Sequence, residues 1–155
     1  MVYITFKVLK EKVLDEIGRT TSYVGAKWHD DAQDYDRVYT TDADQPMLER
    51  FWNEACTGIL RLLKEYLISA KEETDDNGSV AYIVEIMMPR HFDEALKDSI
   101  EKEMFSYFVD CITGEWMNYI DKDKAKEYTD RLRIVSESLT DKIYSRKRPK
   151  RSEYI

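Results

Sequence analysis

The stretch Pro46-Met-Leu-Glu-Arg-Phe-Trp-Asn-Glu-Ala-Cys-Thr-Gly-Ile-Leu-Arg-Leu-Leu-Lys-Glu-Tyr66 carries the clearest structural pattern of the chain. Its apolar side chains recur at intervals of three and four, which places them on one wide stripe of a helix. Thr41, Asp42 or Asp44 can cap this helix, and Pro46 falls in its first turn, where a missing N–H costs little. The sequence therefore predicts a helix that packs on more than one side and ends at about Glu72.

Three further helices are predicted around it. Apolar residues at helical spacing indicate helices over about Val8–Lys27, His91–Ile120 and Lys122–Arg146. Asp121 can cap the last of these, and the connection between the last two is so short that they are expected to form an antiparallel hairpin. Gly114, inside the third of these four helices, is expected to allow close approach to a bulky neighbour.

One segment has the composition of a strand. Residues 79–88, Ser-Val-Ala-Tyr-Ile-Val-Glu-Ile-Met-Met, follow a strong turn signal at residues 75–78 and precede Pro89. A helix remains the alternative, because short apolar runs are ambiguous. As a strand, the segment needs a partner, either residues 2–6 or the same strand of a second copy.

The predicted fold class is mainly α. It is a four-helix bundle-like domain with a C-terminal antiparallel helical hairpin and one short β element. Residues 1–145 are expected to form a single helical domain that includes an acidic loop at residues 28–42, and residues 146–155 form a basic C-terminal tail.

Composition narrows the class of protein. The chain has 155 residues, of which 43% are hydrophobic and 35% charged, as expected of one globular domain with its own core. No run of 18 apolar residues is present, so no membrane contact is expected, and the first residues do not resemble a secretory signal. Two cysteines give no disulfide framework and favour a reducing compartment.

Charge is distributed unevenly. The formal net charge is −7, yet the segment between Trp28 and Gln45 holds six aspartates against Arg37. From Lys142 to the end of the chain, six basic residues stand against Glu153. An acidic body repels nucleic acid, so binding of DNA or RNA is conceivable through the tail alone. The tail could equally meet an acidic protein surface or be an ordinary frayed end.

The sequence shows no pattern of enzyme chemistry. The aspartates at residues 30–36 lack the glycine and glutamate of a calcium loop, and the two histidines have no ligand at metal-binding spacing. Cys56 and Cys111 lie on apolar helix faces, as buried structural cysteines do. Glu54 and Glu115 lie beside apolar stripes, where carboxylates usually have no catalytic role. We therefore expect a protein that is not an enzyme, with no catalytic residue, cofactor or metal.

Several stretches resemble a group of uncharacterised small proteins encoded in phages and prophages of gut bacteria. They are residues 20–27 (Thr-Thr-Ser-Tyr-Val-Gly-Ala-Lys), 35–44, 47–56 (Met-Leu-Glu-Arg-Phe-Trp-Asn-Glu-Ala-Cys), 108–112, 115–117, 124–128 and 144–151 (Tyr-Ser-Arg-Lys-Arg-Pro-Lys-Arg). The resemblance covers most of the chain and implies a virion or virion-assembly protein. A mainly helical protein of this size is similar to head-to-tail connector, or adaptor, proteins, which form rings beneath the portal. Its implied location is the host cytoplasm during assembly and then the virion.

The resemblance implies two roles for the charged segments. In connector proteins, loops reach neighbouring subunits and a terminal segment docks against the portal. A ring needs two different patches that meet, and an acidic and a basic segment supply such a pair. The expected partners are other copies of the chain and other virion proteins; the alternative is a DNA-associated packaging or regulatory protein that uses the tail. The predicted partner-binding residues are Asp30, Asp31, Asp34, Tyr35, Asp36, Tyr39, Tyr144, Arg146, Lys147, Arg148, Lys150 and Arg151.

Overall fold

The computed structural model of the chain describes residues 1–28 and 44–145. The described part is mainly helical, as predicted, and combines four α-helices with a three-stranded antiparallel sheet. The elements, in chain order, are β1 (Val2–Leu9), α1 (Lys10–Trp28), α2 (Gln45–Leu63), β2 (Leu67–Thr74), β3 (Val80–Met88), a 3₁₀ turn (Glu94–Leu96), α3 (Lys97–Ile120) and α4 (Lys122–Ile143).

The sheet has β3 at its centre, with β1 and β2 at its two edges. Both pairings are antiparallel, and β1 runs its full length against β3, with Ile4 opposite Ile86. One face of the sheet is apolar and buried, because alternate residues of β1 and β3 point to the same side. The buried residues of this face are Ile4, Phe6, Val8, Tyr82, Val84, Ile86 and Met88.

The helices complete the core on that side. Trp52 of α2 is fully buried, and its ring packs at 4.7 Å, between ring centroids, against Phe108 of α3 and at 6.4 Å against Tyr82 of β3. Lys142 of α4 donates hydrogen bonds to Ser99 and to Glu103 of α3. The packing of Trp52 therefore joins α2 and α3 to the central strand, and the hydrogen bonds of Lys142 join α4 to α3.

The prediction of one short β element is corrected to a three-stranded sheet, and the prediction that the second helix runs to Glu72 is wrong. α2 ends at Leu63, and β2 follows it. A β-bulge between Leu67 and Ser69 places Leu67 and Ala70 on the same face of the sheet, opposite Ile86 and Val84. Tyr66 and Ala70 are also four residues apart, which is the spacing of a helix stripe and explains the error.

The segment 79–88 is a strand and not a helix. Its predicted partner at residues 2–6 is confirmed, and the pairing extends to Leu9, so the first helix begins at Lys10 and not at Val8. Because β2 occupies the other side of β3, the central strand has no open edge for a second copy. The turn before β3 is closed by Asp75, whose carboxylate accepts hydrogen bonds from the N–H groups of Asn77 and Ser79.

The predicted boundary between the last two helices is confirmed. α3 ends at Ile120, and the Asp121 carboxylate accepts a hydrogen bond from the N–H of Asp123 in the first turn of α4. The start of α3 was predicted at His91, but the helix begins at Lys97. A separate 3₁₀ turn precedes it, because the carboxylate of Asp93 accepts the N–H of Ala95 and starts that turn instead.

Two glycines lie where helices approach each other closely. A Cβ at Gly114 would lie 3.3 Å from the Cβ of Tyr128 in α4, which confirms the predicted use of Gly114. A Cβ at Gly58 of α2 would collide with the hydroxyl of Tyr107 of α3. Glycine at these two positions lets bulky side chains of neighbouring helices lie directly against a helix backbone.

We expect Gly58→Ala to destabilise the protein by about 1 kcal/mol, because an overpacking cost of about 1–3 kcal/mol exceeds the gain of about 1 kcal/mol in helix propensity. In a Tyr107→Phe background, which lacks the hydroxyl, the same change should be neutral or stabilising. Urea unfolding of the four proteins of this double-mutant cycle measures the coupling. Equal costs in both backgrounds would show that the hydroxyl is not the obstacle.

Candidate functional site

Most of the predicted partner-binding residues lie outside the described residues. These are Asp30, Asp31, Asp34, Tyr35, Asp36 and Tyr39 of the acidic loop and Arg146, Lys147, Arg148, Lys150 and Arg151 of the tail. The structure does describe where both segments join the body. The acidic segment connects the end of α1 with the start of α2, where Asp44 is the N-cap residue and Pro46 lies in the first turn.

Tyr144 is the one predicted partner-binding residue that the structure describes. It follows the last residue of α4, is half-buried, and packs its ring 5.3 Å from the ring of Tyr66. Its hydroxyl donates a hydrogen bond of 3.4 Å to the carbonyl of Leu62, and burial raises its pKa. Tyr144 therefore holds the start of the basic tail against the end of α2, close to the sheet.

The two cysteines differ in exposure but share one electrostatic property. Cys56 is buried and Cys111 is half-buried. Burial is the main cause that raises the pKa of each thiol to about 12. Since the thiolate is the nucleophile, neither position favours thiol chemistry at neutral pH.

The two carboxylates weighed from the sequence, Glu54 and Glu115, both lie near Cys111, and the negative charge of each adds to the rise in its pKa. Glu54 also pairs with Arg50 at 3.3 Å and lines a shallow depression of about 250 Å³ with Thr57, Gly58 and Arg61.

Sequence reasoning missed a polar cluster that surrounds Trp52. The indole N–H donates a hydrogen bond of 2.8 Å to Glu72 of β2, and the ammonium of Lys10 lies 5.7 Å above the ring. Lys10 in turn forms an ion pair with Glu49. These residues come from α1, α2 and β2, so no local pattern could reveal the cluster. Its ring contacts and paired charges fit a structural role at the rim of the core.

A cleft between α1 and α4 was also not predicted. Its volume is about 360 Å³, and its lining combines aromatic and charged side chains of the two helices. Arg131 lies 5.0 Å above the ring of Tyr128, and Lys124 pairs with Glu127 at 3.6 Å. Both cationic side chains of this cleft thus already contact other residues of its lining.

The described part of the chain contains neither a metal-ligand cluster nor a membrane-spanning helix. Among residues 1–28 and 44–145, no group of three or more histidine, cysteine, aspartate or glutamate side chains is placed to hold a metal ion. In the same residues, no helix combines the length and the apolar character needed to cross a bilayer.

Comparisons of the chain with protein-family models, with curated proteins and with solved structures gave no match.

Proposed function

We propose that this chain is a non-enzymatic structural subunit of a phage particle, of the head-to-tail connector class. In this proposal, neighbouring copies and a portal-type partner are joined through the acidic segment 28–42 and the basic tail 146–155. The observation that carries it is the separation of charge, with five aspartates among residues 28–42 and five basic residues among residues 146–155. Two different patches of opposite charge suit the heterologous contacts of a ring.

The anchoring of the tail supports this proposal. Tyr144 fixes the point at which the tail leaves the body, since its ring packs against the ring of Tyr66 and its hydroxyl donates a hydrogen bond to α2. A charged segment that starts from a fixed point samples less space, so it loses less entropy when it docks. Charge complementarity of this type mainly sets the rate and register of association.

The helical body is also part of the proposal. We infer that α3 and α4 form an antiparallel hairpin within a bundle-like body of residues 1–145. In support, Lys142 near the end of α4 bonds to Ser99 near the start of α3, whereas Tyr128 near the start of α4 lies against Gly114 near the end of α3. Such a hairpin gives the tail a rigid base.

Assembly should weaken as salt rises, because the screening length falls from about 10 Å at 0.1 M to about 3 Å at 1 M salt. Static light scattering of the full chain between 0.05 M and 0.5 M NaCl measures this, with the portal and capsid proteins of its phage added in a second series. A variant with asparagine at Asp30, Asp31, Asp34 and Asp36 should assemble less.

The matched control replaces four exposed aspartates of the body with asparagine and should assemble as the wild type does. These are Asp15, Asp76, Asp98 and Asp141. Association that is equal at all salt concentrations, or equal in both variants, would contradict the proposal.

The basic tail also suits the alternative function, that of a DNA-associated packaging or regulatory protein. A gel-shift experiment with and without residues 144–155 separates the two functions. Binding of duplex DNA that depends on the tail at 0.15 M salt, without any effect of the acidic segment on assembly, would favour the alternative.

A further inference from the structure

The outer edge of β1 presents backbone hydrogen-bonding groups away from the sheet. The N–H of Met87 in β3 donates to the carbonyl of Tyr66, on the β2 side. Because backbone groups of a strand alternate in direction, even-numbered residues of β3 such as Ile86 face β1. Ile86 lies opposite Ile4, so the even-numbered residues of β1 are those that bond to β3. The odd-numbered residues of β1 therefore direct their N–H and C=O groups to the open side.

A contact at Lys7 supports this assignment. Its backbone N–H donates to the carboxylate of Glu101 in α3, at 3.3 Å. An oxygen acceptor thus already occupies the position that a carbonyl of an added strand would take, and α3 limits the edge at this point. In the described part of the chain, no acceptor receives the outward N–H groups of Tyr3 and Thr5. With respect to the described residues, the edge from Val2 to Phe6 is therefore open to pairing.

A basic groove adjoins this open edge. It has a volume of about 200 Å³ and lies between β1, the start of α1 and α3. Leu9 and Phe105 give it an apolar floor, and three lysines stand against one carboxylate that is already bonded to Lys7. Within the described residues, none of the three lysines takes part in an ion pair. They are Lys7, Lys12 and Lys102.

We propose that the β1 edge and this groove together bind an extended acidic peptide segment of a partner protein. The segment would add a fourth strand, with backbone hydrogen bonds to Tyr3 and Thr5, and would place a carboxylate among the three lysines. Pairing through the backbone supplies affinity, and the lysines select for acidic side chains. This site is separate from the two charged segments of the proposed function and does not depend on them.

The charge of the groove argues against a second copy of β1 as the occupant. Residues 1–9 contain no acidic side chain that could pair with the three lysines of the groove. The opposite edge of the sheet is a weaker candidate, because Lys71 and Glu73 of β2 form an ion pair of 2.8 Å on it. Charged edges of this kind discourage pairing.

The test is a titration of the full chain into a fluorescein-labelled, end-blocked octapeptide of alternating aspartate and valine, followed by anisotropy. The matched probe alternates lysine and valine. We expect the acidic peptide to bind and the basic one not to bind, with at least a tenfold loss of affinity between 0.05 M and 0.5 M NaCl. Absence of binding at 1 mM protein (about the upper limit of the titration), or equal binding of both peptides, overturns the proposal.

Variants locate the site. Thr5→Pro removes one outward N–H without removing a bond to β3, so it should weaken binding at least tenfold, whereas Thr5→Val should not. The double variant Lys12→Gln/Lys102→Gln should also weaken binding at least tenfold. Its control, Lys122→Gln/Lys126→Gln on the exposed start of α4, should bind as the wild type does. Unchanged binding by the Lys12→Gln/Lys102→Gln variant overturns the proposal even if Thr5→Pro does not fold.

A last variant separates this proposal from the proposed function. Replacement of Arg146, Lys147 and Arg148 by glutamine should leave binding of the acidic peptide unchanged, although it should reduce salt-dependent assembly. If this variant no longer binds the acidic peptide, then the peptide binds the tail, and the proposed β1 site is refuted. Slower amide exchange at Tyr3 and Thr5 in the presence of the peptide would be the direct sign of an added strand.

Discussion

Replacement of Trp52 by alanine is expected to lower the free energy of unfolding by about 3–5 kcal/mol, the range for deletion of a large buried aromatic side chain. Trp52 is fully buried and packs against Phe108 of α3 and Tyr82 of β3. Its N–H also bonds to Glu72 of β2. A cavity at this position would therefore loosen α2, α3 and the sheet together, and the loss is a large share of the roughly 5–15 kcal/mol of a typical domain.

Urea unfolding followed by circular dichroism measures this loss, since far-ultraviolet signals do not depend on the other tryptophans. Trp52→Phe keeps most of the packing but loses the hydrogen bond to Glu72, so its cost should be about 1–2 kcal/mol. Ile134→Ala, at a position 58% exposed on α4, is the control and should change stability by less than about 0.5 kcal/mol. A cost for Trp52→Ala as small as that of the control would show that the packing around Trp52 does not hold the elements together.

The helices were predictable because their signals are local. The apolar stripe of α2 and Pro46 in its first turn lie within one stretch, and Asp121 marks the boundary between α3 and α4 in the same way. The sheet needed information that is not local. Leu67 and Ala70 have the spacing of a helix because of a β-bulge, and only their pairing with β3 reveals them as part of a strand. The turn at residues 75–78 was recognised, but not the strand before it.

The candidate sites were less predictable than the fold. Charge patterning indicated the acidic and basic segments, but of the residues proposed there the structure describes only Tyr144. The β1 groove joins Lys7 and Lys12 with Lys102, about 90 residues away along the chain. Three single lysines in separate elements give no sequence signal. The groove can be recognised only from the register of β1 and the position of α3 beside its edge.

The largest change in a measured rate is expected for chemical labelling of the two cysteine thiols. At pH 7.5 both cysteines of the folded protein should react with 5,5′-dithiobis(2-nitrobenzoic acid) at least about 100-fold more slowly than in the urea-unfolded chain. A pKa of about 12 at Cys56 and Cys111 leaves roughly a thousandth of the thiolate that an ordinary cysteine has at this pH. Single variants, Cys56→Ser and Cys111→Ser, report on the two positions separately.

The pH dependence of labelling identifies the cause. The rate should rise about tenfold per pH unit from 7 to 10 in the folded protein, whereas it should level off near pH 8.5–9 in the unfolded chain. Burial favours the protonated form of both thiols in the folded state. Their contribution to the free energy of unfolding is therefore complete below about pH 8.5 and is lost as the pH rises towards 12. The protein should therefore become easier to unfold above pH 9.

A charge variant separates electrostatics from simple burial. Glu115→Gln removes the largest charge effect on Cys111, so it should speed labelling of Cys111 several-fold and leave Cys56 unchanged, since Glu115 is not among the groups that shift its pKa. Rapid labelling of either cysteine with a plateau near pH 7 would reveal a stabilised thiolate, which is the property of a reactive cysteine and not of a packed one. That result would contradict the proposed non-enzymatic role at its most testable point, because these two thiols are the strongest nucleophiles that the chain contains.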